Sequence, residues 1–211
     1  MNQIVIKPWG REYCVYRNEH VAIWVLEITK GAQTSLHAHP HKSTAFVVLR
    51  GEIEKHLLRG TIRMRSLDKI NVFKGRFHRQ RALTDGVVLL EIESPDIKSD
   101  IVRLEDSYGR EGLPIETPTQ PMASDCLQLA YVDGVQRFAG CRLQFVLGFQ
   151  LATNQRWTVN TARSVWVTLY GGLQNELVTP GEAIDGESFT RLLRRFRPMP
   201  ESMFLRITRL P

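Results

Sequence analysis

The sequence lacks any apolar run long enough to cross a membrane. None approaches the ~18–20 consecutive apolar residues that a spanning helix requires, and Met1–Val5 has neither the charged nor the apolar region of a signal peptide. The three cysteines are odd in number and have no Cys-x-x-Cys spacing, which argues against a zinc knuckle or a redox motif. We therefore expect a cytoplasmic protein without a membrane partner.

The net charge of +6 raises the question of a nucleic-acid partner. The densest basic stretch, residues 191–197, contains four arginines interleaved with leucine and phenylalanine. This pattern is equally typical of a solvated helix or strand face. We expect no nucleic-acid partner, because an anionic small molecule such as a phosphosugar would account for the same sign of charge.

Short β-rich runs recur along the chain and predict an all-β protein, either a barrel or a sandwich. Turn residues such as Lys30-Gly31, Arg50-Gly51 and Pro180-Gly181 separate them. The predicted strands are Val21–Ile28, Ala45–Leu49, Gly60–Met64, Gly86–Glu93, Leu127–Val132, Leu143–Phe149, Val165–Leu169, Gln174–Val178 and Met203–Thr208. Helices are predicted only for Ser188–Phe196 and Asp96–Tyr108.

A proline-rich segment, Gly112–Pro121, divides the chain and should be extended and irregular. We place a domain boundary there, between residues 1–113 and 122–211. The two halves also resemble each other, since Val165–Gly171 repeats the pattern of Ala45–Gly51. The sequence therefore predicts two stacked β-barrels.

All six histidines lie between residues 20 and 78, and three of them, His37, His39 and His41, alternate within five residues. On a strand, His37 and His39 would point to the same side. His78 follows a glycine turn and is the candidate third ligand. Three neutral imidazoles with open coordination positions suit zinc, iron, nickel or manganese. The structural alternative is that these histidines lie at the surface or in the core without a ligand.

Two motifs resemble those of the cupin superfamily. The pattern Gly31-x5-His37-x-His39-x4-Thr44-x6-Gly51 has the spacing of the first cupin motif, and Gly75-x-x-His78 is similar to the core of the second. The resemblance implies a double-stranded β-helix, the cupin jelly roll, and with the second half a bicupin. The glutamate ligand usual in cupins falls at Thr44, which occupies the position of a fourth ligand.

Within the superfamily, residues 7–110 look like the cupin domain of type II mannose-6-phosphate isomerases. The similarity lies in Lys7–Gly10, in Ser35–Gly51 and in Asp100–Arg110. That family often has a glutamine at the position of His37. It has an arginine and a glutamate at the positions of Lys42 and Thr44. The resemblance implies a metal-dependent isomerase or epimerase in polysaccharide precursor metabolism, acting on a sugar phosphate or a nucleotide sugar.

Under this hypothesis the metal polarises the open-chain carbonyl. Zinc is the expected ion, and iron, manganese and nickel are the alternatives. A side chain moves the proton between C1 and C2. Lys42 and Arg76 are candidates for holding phosphate, and His41, Glu91 and Glu93 for carrying the proton. The sequence does not show which face of the strand containing Glu91 lines the barrel.

Two other functions stay open. The missing glutamate suggests a three-histidine iron dioxygenase, and the second half, which contains no histidine, suggests a non-catalytic sugar-binding or regulatory protein. That half is expected to serve packing, homodimer formation or closure of a lid. Trp157 and Trp166 are expected to anchor a core or an interface.

Overall fold

The computed structural model describes residues 3–113, 120–127, 129–132, 135–138, 143–149 and 164–209. For residues 129–149 only the backbone is considered. The strands are β1 (Gln3–Lys7), β2 (Gly10–Arg17), β3 (Ala22–Ile28), β4 (Leu36–Ala38), β5 (Ser43–Arg50), β6 (Glu52–Leu57), β7 (Gly60–Arg65), β8 (Lys69–Val72), β9 (His78–Ala82), β10 (Val87–Ser94), β11 (Val102–Glu105), β12 (Gln120–Pro121), β13 (Leu129–Val132), β14 (Val135–Phe138), β15 (Leu143–Phe149), β16 (Ser164–Tyr170), β17 (Ala183–Asp185) and β18 (Met203–Arg209). The helix α1 spans Gly186–Leu193, and a single 3-10 turn spans Gln174–Glu176.

The first half forms a barrel from two antiparallel sheets. One has the strand order β12-β1-β2-β3-β10-β5-β8 and the other the order β11-β4-β9-β6-β7. Apolar side chains of both sheets meet between them, for example Leu26 and Leu89 of the first sheet with Ile53 and Ala82 of the second. The predicted all-β class and the double-stranded β-helix are confirmed.

A tight hairpin at the start of the chain closes one part of the barrel. Pro8 and Trp9 form the turn between β1 and β2, and Trp9 is buried in the barrel core. Gly10 has a φ of +144°, and a Cβ atom there would lie 2.0 Å from the carbonyl oxygen of Glu27. Only glycine fits this position, because both the backbone conformation and the close approach exclude a side chain.

Strand β10 presents different chemistry on its two faces. Leu89, Glu91 and Glu93 point into the barrel, while Leu90 and Ile92 point away from it and join a second apolar cluster. Successive side chains on a strand alternate between faces, so this register puts both carboxylates inside. The sequence alone did not show which face of this strand lines the barrel; the structure shows that it is the face with Glu91 and Glu93.

The second half covers the outer face of the seven-stranded sheet. It contributes a six-stranded sheet of order β13-β14-β15-β18-β16-β17, and its Val165, Val167, Leu205 and Ile207 pack in the same cluster as Ile92. The Asn71 side chain also bonds the backbone of Ala183 from both of its polar atoms, at 3.0 and 2.9 Å. The two halves are thus joined by a continuous apolar core.

Strand β17 pairs with β16 as β8 pairs with β5. The second barrel stays a prediction, as do the domain bounds. Residues 114–119 of the proline-rich segment lie outside the described residues, as does Trp157. Trp166 is buried and stacks on Phe189 of α1 at 4.8 Å between ring centroids.

Two secondary-structure predictions are wrong. The segment Asp96–Tyr108 contains strand β11 and turns instead of a helix, because its backbone pairs with β4 at the edge of the five-stranded sheet. The segment Gln174–Val178 contains a 3-10 turn instead of a strand, because the backbone of Leu173 closes on Val178. Helix α1 begins earlier than predicted, where Asp185 accepts a hydrogen bond from the Ser188 amide at 2.8 Å.

Among the described residues, no helix is long and apolar enough to span a membrane.

Candidate metal centre and adjoining pocket

Three buried histidines converge inside the barrel. His37 lies on β4 and is paired in register with His78, the first residue of β9, while His39 follows β4. Their candidate ligand atoms all lie within 4.8 Å of one another. The ring centroids are 4.5 Å apart for His37 and His78, and 4.9 Å apart for His37 and His39. The predicted convergence of the three imidazoles is present.

Backbone carbonyls fix the tautomer of each ring. The Nδ1 atoms of His37 and His78 lie 2.9 and 3.0 Å from the carbonyl oxygens of Ser35 and Arg76, and His39 Nδ1 bonds the carbonyl of Asp100. A carbonyl only accepts, so each Nδ1 must carry the proton. Each Nε2 therefore offers a lone pair.

Burial keeps the three rings neutral. It lowers the pKa of His39 to about 3 and holds the pKa of His37 and His78 well below the ordinary value of histidine. The neighbouring positive charge of Lys42 acts in the same direction on His39. The Nε2 atoms of His39 and His78 are buried, and no described residue bonds to them. A divalent cation is the partner that such a donor set suits, so the residues present fit a metal ion.

Asp100 supports this centre in two ways. Its carbonyl accepts from His39 Nδ1, and its carboxylate Oδ2 accepts from the backbone amides of His41 and Lys42 at 2.8 Å each. One residue thereby fixes both the ring orientation of His39 and the turn that follows it. Such supporting contacts tune the affinity of a metal site.

The Asp100→Ala variant should bind divalent metal about 10- to 100-fold more weakly, because the turn after His39 loses its two amide contacts. Competition with a chromophoric chelator measures this affinity. The matched control is Asp85→Ala, since Asp85 is exposed and its carboxylate bonds only the exposed Lys30 among the described residues. Equal affinities for the two variants would contradict the supporting role of Asp100.

A pocket opens beside the histidines. Its walls include His37 and His39, five cationic side chains (Lys7, Lys42, Lys98, Arg103 and Arg110) and three carboxylates (Glu12, Glu91 and Glu93). The cations outnumber the acids. The local field therefore favours an anionic ligand.

A chain of ion pairs runs along one wall of this pocket. Lys42 Nζ lies 2.8 Å from Glu93, and Lys98 Nζ lies 2.9 Å from Glu12 and 3.9 Å from Glu93. Lys7 joins the chain at 3.4 Å from Glu12. Lys42 and Glu93 are fully buried, so the predicted phosphate-holding lysine is already neutralised by a carboxylate.

Glu91 is a pocket carboxyl group whose pKa lies far above its ordinary value. Burial, with the neighbouring charge of Glu93 as the second cause, raises the pKa of Glu91 to about 7. Lys55, which is fully buried with Nζ 3.3 Å from the centroid of the Phe46 ring, has its pKa lowered well below the ordinary value, again by burial. Both groups are therefore driven toward their neutral forms.

The remaining predicted site residues lie in different places. Thr44 is buried on the inner face of β5 opposite Glu93, and no described residue bonds its Oγ1 atom. His41 and Arg76 are exposed and do not line the pocket. The guanidinium of Arg76 lies 5.8 Å from the ring of Phe73, while its carbonyl holds His78.

Sequence reasoning missed Lys98, Glu12 and Lys55. Lys98 lies in the loop after β10, Glu12 in the second strand of the first hairpin, and Lys55 on β6. None is in a recognisable motif. The alternation on β6 could have placed Lys55 inside the barrel, because the apolar Ile53 two residues earlier points there.

Comparison with solved structures finds similar barrels. They include KdgF from Halomonas sp. (18% identity, 46% of this chain and 90% of that chain, TM-score 0.44). An RmlC-like cupin from Shewanella frigidimarina (21% identity, 46% and 87%, TM-score 0.43) is similar. So is an uncharacterised protein with a double-stranded β-helix domain from Klebsiella pneumoniae (18% identity, 45% and 84%, TM-score 0.41). Nothing about activity follows from matches at this level.

No curated protein matches the sequence. The sequence model described as mannose-6-phosphate isomerase C-terminal matches residues 1–106, which is half of the chain and includes all three converging histidines. The protein therefore belongs to the mannose-6-phosphate isomerase C-terminal family of cupins.

Proposed function

We propose that the protein is a metal-dependent isomerase or epimerase acting on an anionic sugar derivative. The observation that carries the proposal is the juxtaposition in one pocket of three features. Three converging imidazoles, two of which line the pocket, present lone pairs, Glu91 has a pKa of about 7, and the lining has an excess of cationic side chains. These are the groups needed to polarise a carbonyl, move a proton and hold a negative charge.

His37, His39 and His78 would hold the metal, with Thr44 at the position of the fourth cupin ligand. Zinc suits three imidazoles best, and iron, manganese and nickel are the alternatives. When bound, the ion supplies a Lewis acid for a carbonyl oxygen. The carbonyls of Ser35, Arg76 and Asp100 keep the three rings oriented for it.

Glu91 is the proton carrier that the geometry favours. It lies inside the barrel on β10 and lines the pocket, and a carboxylate with a pKa near neutrality is both a competent base and a competent acid. It would remove the proton from the carbon next to the carbonyl and return it to the former carbonyl carbon, while the hydroxyl proton on that neighbouring carbon passes to the former carbonyl oxygen. The sugar is neither oxidised nor reduced overall by this exchange. His41 and Arg76, which are exposed, have no comparable position.

The pH dependence of turnover tests the role of Glu91. Because the base must be deprotonated, kcat/KM should rise with pH and level off above an inflection near pH 7. Glu91→Gln should lower kcat by about 10²- to 10⁴-fold and abolish that inflection. The control Glu187→Gln changes an exposed carboxylate on α1 and should leave the profile unchanged. An unaltered inflection in Glu91→Gln would show that another group titrates.

The proposed activity itself is tested with metal-loaded protein and a panel of aldose and ketose phosphates in D₂O. Proton NMR should show interconversion of one aldose–ketose pair, with deuterium entering the product at the exchanged carbon. Absence of both interconversion and exchange across hexose and pentose phosphates would contradict the proposal. The His39→Ala variant is the blank for any activity that is observed.

One observation favours a second candidate, a three-histidine iron dioxygenase. The three imidazoles are joined by Thr44 at the position where cupins usually have glutamate, so the ligand set has no carboxylate to offset the charge of the ion. Oxygen consumption by the ferrous protein in the presence of a substrate would support this function. Isomerisation of sugar phosphates by the zinc-loaded protein, at the same rate as with iron, would argue against the dioxygenase function.

A further inference from the structure

The sheet of the second half carries a partly buried cation on the face that does not pack against the barrel. Leu205 and Ile207 of β18 contact the first half, so Arg206 between them points to the opposite face. Its guanidinium carbon lies 5.6 Å from the centroid of the Trp166 ring. We propose that Arg206 and Thr208 bind the carboxylate or phosphate group of a small anionic molecule, at a second site separate from the three-histidine centre.

The guanidinium of Arg206 has a buried donor without an acceptor. Its Nε atom is buried and bonds to none of the described residues. Burial lowers the pKa of Arg206, and no described carboxylate opposes this effect, whereas Glu27 and Asp125 raise the pKa of Arg11. The Trp166 ring attracts the cation but supplies no acceptor for Nε. A charge withdrawn from water is normally paired, so an oxyanion would supply what the described residues do not.

Two hydroxyl groups on the same face also lack a partner. Thr208 follows Arg206 by two residues on β18 and therefore leaves the strand on the same side. The Oγ1 atoms of Thr208 and of Thr168 on β16 are buried and bond to none of the described residues. Unsatisfied buried polar atoms are rare in native proteins. Three of them on one face of two neighbouring strands indicate a ligand that accepts hydrogen bonds.

The register between β18 and β16 gathers these groups around Arg206. Arg206 lies opposite Trp166, and Thr208 lies opposite Ser164, whose hydroxyl accepts from Trp166 Nε1 at 3.2 Å. Directly opposite residues have Cβ atoms roughly 4.5–5.5 Å apart, and diagonal neighbours, here Ser164 and Thr168, lie about 7–8 Å away. A long arginine side chain spans such distances. One guanidinium fork with hydroxyl groups around it is suited to a single carboxylate or phosphate group.

The first half carries the opposite charge at the same place in its ladder. There Glu91 of β10 lies opposite Phe46 of β5, as Arg206 lies opposite Trp166. Phe46 and Trp166 each stand five positions before the glycine that ends the repeated pattern. The second half contains no histidine, so it has no imidazole for a metal ion. A guanidinium in place of a carboxylate makes this position suitable for an anion instead of a cation.

Indole NMR signals test the inference on the metal-loaded protein. The tryptophans are Trp9, Trp24, Trp157 and Trp166, and isotope labelling of the indole nitrogen gives one Nε1–H signal for each. The Trp166→Phe variant identifies the signal of Trp166. Titration with inorganic phosphate, and separately with succinate, should shift this signal saturably, whereas sodium chloride at the same ionic strength should not. The two titrations show which oxyanion binds more tightly.

Arg206→Gln should weaken anion binding at this site by about ten- to a hundredfold, because it removes a charged hydrogen-bond donor. The matched control is Arg195→Gln, since Arg195 is exposed just after α1, and its affinity should equal that of the wild-type protein. If Arg206→Gln fails to fold, Thr208→Val, which keeps the shape but loses the hydroxyl, should weaken binding by about three- to tenfold.

Three results would overturn the inference. One is a Trp166 signal that responds to neither anion, and another is a response of equal affinity in Arg206→Gln and the wild-type protein. The third is a shift confined to the signals of Trp9 and Trp24, because Trp9 lines the pocket beside the histidines and Trp24 contacts Lys98 there. The metal content of Arg206→Gln should equal that of the wild-type protein, since the two sites are separate, and a loss of metal would contradict that separation.

Discussion

The His39→Ala variant should be purified with almost no bound metal, whereas the wild-type protein should contain close to one divalent ion per chain. Loss of a supporting residue around a metal costs about 10- to 100-fold in affinity, so loss of one of only three imidazole ligands should cost at least about a hundredfold. Elemental analysis after dialysis against a weak chelator measures the metal content. Turnover should disappear in the same variant.

The control for this experiment is His41→Ala. His41 lies two residues further along the chain, but it is exposed and only its backbone amide contacts Asp100 among the described residues. Its metal content should equal that of the wild-type protein. Full metal content in His39→Ala, or an equal loss in both variants, would contradict the three-histidine centre.

The second large effect concerns the interface between the halves. Leu205 of β18 is fully buried in the cluster that includes Leu90 and Ile92 of the barrel. Leu205→Ala should lower the free energy of unfolding by about 2–5 kcal/mol, because it leaves a cavity in a packed core. Urea denaturation followed by tryptophan fluorescence measures the loss.

The matched control is Leu104→Ala, which removes the same atoms from a side chain that is 52% exposed and should cost less than about 0.5 kcal/mol. Because one core joins the halves, the Leu205→Ala protein should still unfold in a single transition. Two separate transitions, with only the second half destabilised, would contradict a shared core.

The all-β class was predictable because alternation of apolar residues and glycine turns is a local property of strands. The runs at Ala45–Leu49, Met203–Thr208 and Leu143–Phe149 all fall on observed strands. The segment Asp96–Tyr108 was not predictable in the same way. Its strand exists because the backbone of β4 needs a partner at the sheet edge, and that requirement is a tertiary one.

The histidine centre was predictable because its spacing is encoded in one strand and one turn. The residues around it were not. Asp100 acts on His39 partly through a backbone carbonyl, which no side-chain pattern reports. Lys98 forms an ion pair with Glu12, although the two residues lie near opposite ends of the first half of the sequence. The inward face of Glu91 depends on the register between β10 and β5, which is determined by packing on both sides of the sheet.

Strand β10 contributes carboxylates to the pocket with its odd-numbered residues and leucine and isoleucine to the interface with its even-numbered ones. Deletion or insertion of a single residue within Val87–Ser94 would exchange the two sets. Charges would then face an apolar core, and aliphatic groups would face the three-histidine centre. A change of length within this strand should therefore not be tolerated, so differences in length among relatives should be confined to the turns on either side of it.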